Sequence, residues 1–95
     1  MEGEKIQTIR NYLEKQFPSA DHADKDDFDR IGHKFRIATK DYVLLTSVSR
    51  ELIEDNDSKT IISKLDTINI GDLLKNHPES TIIVRSSGVT IEPRN

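Results

Sequence analysis

The chain has 95 residues, 34% of them hydrophobic and 33% charged, with a formal net charge of -3 at pH 7. That length suits one small domain, spanning residues 1–95, with a modest core. The absence of cysteine excludes disulfides, zinc–thiolate sites and iron–sulfur ligation. No run reaches the length of a bilayer span, and the opening MEGEKIQTIR is acidic where a secretory signal would be basic. A soluble, cytoplasmic domain without membrane contact is therefore expected.

Ile6, Ile9, Leu13 and Phe17 recur at helical spacing and predict a helix over 4–16. Glu2 and Glu4 suit its dipole, and Pro18 marks its stop. The segment that follows, SADHADKDDFDR over 19–30, holds five aspartates and accounts for the whole net charge of -3. Its apolar content is thin, so an acidic connector or a marginal helix is expected there.

Ile31, His33, Phe35 and Ile37 alternate with Gly32, Lys34 and Arg36, a period of two that predicts a strand with one core face and one basic face. ATKD at 38–41 reads as a turn, and YVLLTSV at 42–48 as the next strand, giving an antiparallel hairpin. Between 49 and 76 the apolar pairs Leu52/Ile53, Ile61/Ile62 and Leu73/Leu74 fall in short helical stretches. Ser49, Asp57 or Ser58, and Asn69 open these stretches, and Pro78 closes the series. TIIVR, SSG and VTIE form a second hairpin, with Gly88 at a left-handed position and a frayed end at 93–95. The fold expected is α+β: a four-stranded, mainly antiparallel sheet built from two hairpins. An N-terminal helix and two or three short central helices cover it on one face.

No motif for catalysis is present. His33 has core parity on its strand, His77 precedes Pro78 at a helix end, and no nucleophile-elbow or phosphate-binding glycine pattern surrounds the serines or Gly71 and Gly88. No catalytic residue and no cofactor is expected. His22, Asp24, Asp26, Asp27 and Asp29 are weak metal-ligand candidates, because crowded carboxylates repel one another and a cation would relieve them. The segment lacks the central glycine and final glutamate of a calcium-hand loop. Weak divalent-metal binding or a hydrolytic role is thus the third reading.

The leading expectation is a non-enzymatic protein-interaction or regulatory module, binding a protein partner or itself. In it Asp24, Asp26, Asp27 and Asp29 steer a basic partner, and a sheet edge or short-helix face makes the closer contact. The second reading is a nucleic-acid module in which Lys34, Arg36, Lys40 and Arg85 contact phosphates from a basic sheet face. It lacks the outward aromatic pair of a base-stacking sheet, since Phe35 has core parity and Tyr42 stands alone.

Overall fold

The computed structural model describes residues 2–94. Four helices, α1 (Glu2–Gln16), α2 (Arg50–Asp55), α3 (Ser58–Thr67) and α4 (Ile70–Asn76), accompany five strands, β1 (Asp21–Asp27), β2 (Gly32–Ala38), β3 (Val43–Ser49), β4 (Ser80–Arg85) and β5 (Gly88–Pro93). The strands form one sheet in the order β1-β2-β3-β4-β5. All neighbours are antiparallel except β3 and β4, which run parallel.

This corrects the expected architecture in two respects. The sheet is five-stranded and mixed, with four helices, because the acidic segment is itself a strand and not a connector or helix. The two hairpins are also joined in parallel. The stretch from Arg50 to Glu79 carries three helices across the sheet, and a helical crossover of that length returns the chain parallel to the strand it left.

The core lies between the helices and one face of the sheet. Ile9 and Leu13 of α1, with Phe17 just after it, meet Phe35 and Ile37 of β2, Leu44 and Val48 of β3, and Ile82 and Val84 of β4. Leu52, Ile53, Ile61, Leu65, Ile70 and Leu74 from the other three helices complete the cluster. Side-chain caps start α2 and α3: Ser49 accepts from Leu52 N, and Asp57 from Thr60 N. Arg94 follows β5 and is tied down, its guanidinium donating to Val43 O (2.8 Å) and Pro78 O and its backbone N–H to Glu79 O. Of the end expected to fray, 93–95, Pro93 closes β5 and Arg94 makes these bonds, while Asn95 lies outside the described residues.

Among the described residues no helix covers the other face, yet Ser47, Thr81 and Ile83 are buried there. Sheet curvature accounts for this. In a flat five-stranded sheet β1 and β5 would lie about 19 Å apart, four spacings of roughly 4.8 Å. Here one guanidinium, that of Arg30 in the β1–β2 loop, bonds both Asp27 of β1 and Glu92 of β5. The sheet must curl toward its helix-free face for both carboxylates to reach that group.

Gly32 is where this curl leaves no room. A Cβ there would stand 2.5 Å from Val48 O and 3.2 Å from Ser49 Cα, both rigid backbone. Gly32→Ala should therefore cost about 1–3 kcal/mol, read as a lowered urea midpoint with an unchanged m-value.

Candidate functional site

Strand β1 has poor intrinsic β preference, because aspartate is depleted in strands. Specific polar contacts on its two faces hold it in place. On the helix side, the Asp24 carboxylate takes a bidentate pair from Arg10 of α1 (Nε 2.5 Å, Nη2 2.9 Å) and a third contact from His33 Nε2 at 2.7 Å. His33 Nδ1 faces Asp26 at 3.4 Å, and His22 Nε2 donates to Phe17 O at 2.9 Å. On the opposite side, Asp27 accepts from Ser47 Oγ at 2.9 Å and from Arg30 at 3.1 Å.

These contacts redistribute the acidic segment. Asp27 is 4% exposed and the Asp24 side chain 10% exposed, so neither is offered to a partner. Asp26, whose side chain is 57% exposed, Asp21 at the start of β1 and Asp29 in the loop face solvent. Strand geometry divides the metal-ligand candidates between the two faces of the sheet. Strand alternation puts His22, Asp24 and Asp26 on the helix side and Asp27 on the other, and the first two are already engaged. Among the described residues no group of three or more His, Asp or Glu side chains is arranged to hold a metal ion.

The Arg10 hydrogen bond holds the Asp24 carboxyl below its ordinary value of 3.8, against the opposing effect of burial and with help from His33. At Asp27 burial pushes upward, but the Ser47 and Arg30 hydrogen bonds outweigh it, and the carboxyl is again lowered.

The sequence-predicted cations line three different depressions. Lys40 sits in the β2–β3 turn beside a shallow depression lined by Phe17, Pro18 and Ala20. Arg85 ends β4, at a groove of about 430 Å³ between α3 and the β4–β5 turn that also carries Ile68, Val84 and Val89. Lys34 and Arg36 do share the helix-free face, and the β1 strand brings Lys25 to join them. Lys25 stands directly opposite Lys34, and Arg36 opposite Ala23 in the next row. Together they border a groove of about 360 Å³ with Val43 and Leu45 on its floor.

None of the three cationic groups makes an ion pair or side-chain hydrogen bond among the described residues. Like charges directly opposite on one face of a sheet destabilise it. Reading the sequence missed Lys25 because it lies inside a segment taken for a connector. The alternation of Ala23, Lys25 and Asp27 with His22, Asp24 and Asp26 was the available signal.

Comparison with protein-family models, with curated proteins and with solved structures gives no match to this chain.

The lowered aspartates set a pH dependence. A carboxyl whose folded value lies below its unfolded value stabilises the fold fully above the unfolded value, and that contribution disappears as pH falls through the folded one. Stability from Asp24 and Asp27 should thus be complete above about pH 5 and drain away below roughly pH 4. Asp24→Asn should lower stability near neutrality by about 1.5–3 kcal/mol, the usual worth of a charged hydrogen bond. It should also flatten the acid limb. Urea melts at a series of pH values check both.

Proposed function

We propose that this domain is a protein-interaction module, and that the groove bordered by Lys25, Lys34 and Arg36 receives an acidic segment with apolar side chains. One observation carries this reading: two lysines stand face to face across β1 and β2, with an arginine beside them, and among the described residues none of the three is held in an ion pair or a side-chain hydrogen bond. Such an arrangement costs the free protein stability, and a bound anion relieves it.

The apolar floor decides what kind of anion fits. Leu45 lies on β3 opposite Arg36, with Val43 in the next row, so carboxylates of the ligand can meet the cations while its aliphatic or aromatic side chains leave water against these apolar residues. Nucleic acid satisfies the rim less well. Tyr42 does not line the groove, so it holds no aromatic ring on which a base would stack. The polarity of the partner is also reversed from the sequence reading. Two of the four aspartates assigned to steering, Asp24 and Asp27, are engaged within the fold, whereas Lys25, Lys34 and Arg36 make no ion pair among the described residues.

Replacing Lys34 by Glu converts a repelling cross-strand pair into an attractive one. Set against this, Lys34 also favours the Asp27 carboxylate, so the binding readout is the decisive one: Lys34→Glu should abolish binding of a short synthetic peptide of alternating glutamate and leucine. In wild type that peptide should shift the amide signals of Lys25, Lys34, Arg36 and Leu45 at low salt, and the shifts should shrink as salt screens the rim. Undisturbed signals would reject the groove. Stronger shifts with single-stranded DNA than with the peptide would transfer it to the nucleic-acid reading.

A further inference from the structure

We infer that the occupant of this groove is the β1–β2 loop of a second copy of the chain. The inference rests on the acidic–apolar reading of the groove and names its partner.

The loop Phe28–Ile31 is built as a knob. Phe28 is 80% exposed and Ile31 64% exposed, at the tip of the β1–β2 hairpin. Ile31 has φ 52, the left-handed region that β-branched residues avoid, and its exposure means that burial does not compensate the strain. Backbone strain kept at an exposed apolar residue points to use of that residue. The loop between them is fixed. Arg30 turns inward to Asp27 and Glu92, and the Ile31 carbonyl accepts from Arg50 N at 3.0 Å. Phe28 and Ile31 are therefore presented in a set geometry, which lowers the ordering cost of docking.

Charge selects the partner. Asp26 and Asp29 flank the two apolar side chains, with Arg50 the cation beside them, so the knob is apolar with a net acidic border. The groove is apolar with a basic border of Lys25, Lys34 and Arg36. One chain thus carries both halves of a complementary contact. Knob and groove lie on the same hairpin, so two copies can exchange them reciprocally in a closed pair. The contact is small and belongs to the weak, salt-sensitive class of interfaces.

Sedimentation of the full chain at low salt tests this. Wild type should associate reversibly with rising concentration. Phe28→Ser, which removes the knob, and Arg36→Glu, which reverses the rim, should each weaken association about tenfold or more. Mixed together the two variants should associate again, because one retains the groove and the other the knob. Ile31→Gly relieves the left-handed strain and should keep the far-ultraviolet circular dichroism of wild type and a thermal midpoint no lower than its own while weakening association, which separates loss of the knob from loss of the fold. A wild type that remains monomeric at every concentration, or a mixture no more associated than its components, would overturn the inference. A monomeric wild type that still binds the glutamate–leucine peptide would overturn self-association alone. Absence of both would remove the groove reading as well.

Discussion

The fold depends on how the carboxylates of β1 are held. A seven-residue strand of sequence DHADKDD has little apolar surface to bury and a strong internal repulsion. It joins the sheet because Arg10 and His33 take Asp24 on one side, while Ser47 and Arg30 take Asp27 on the other. These contacts draw on α1, β2, β3 and the hairpin loop. The edge strand is therefore tied to the core by polar groups where most strands are tied by apolar ones. Once in place, it sets Lys25 against Lys34 and pulls Arg30 across to Glu92. The curl of the sheet, the groove and the exposed loop all follow from that placement.

Much of this architecture is written in apolar periodicity. The stripe Ile6–Ile9–Leu13–Phe17 marks α1, the alternation around Phe35 marks β2, and TIIVR marks β4, because burial of those side chains is what forms the elements. β1 lacks that signal. Its alternation is one of polar roles, with His22, Asp24 and Asp26 toward the helices and Ala23, Lys25 and Asp27 away from them. Hydrophobic patterning does not register it. The parallel β3–β4 pairing was equally hidden. It depends on where three helices deliver the chain, which no local pattern encodes.

The candidate site was legible by half. Lys34 and Arg36 could be assigned to an outer strand face from parity alone. Lys40, in a turn, and Arg85, at a strand end, border other depressions than the one Lys34 and Arg36 share. The aspartates gave the opposite error. Counted as charge, they promise an acidic surface, but two of them are consumed inside the fold and the free charge left on the helix-free face is positive. Net charge describes a segment, whereas recognition depends on which charges remain unpaired.

Amide hydrogen exchange along residues 21–27 tests the central claim most directly, because it reads whether the acidic segment is a strand held by its carboxylates. Amides of β1 that are hydrogen-bonded to β2 should be protected in the wild-type chain and should lose that protection in Asp27→Asn well before the β3–β4 amides do. Exchange of residues 21–27 at the rate of an unstructured peptide in the wild type, or protection unchanged by the substitution, would contradict it.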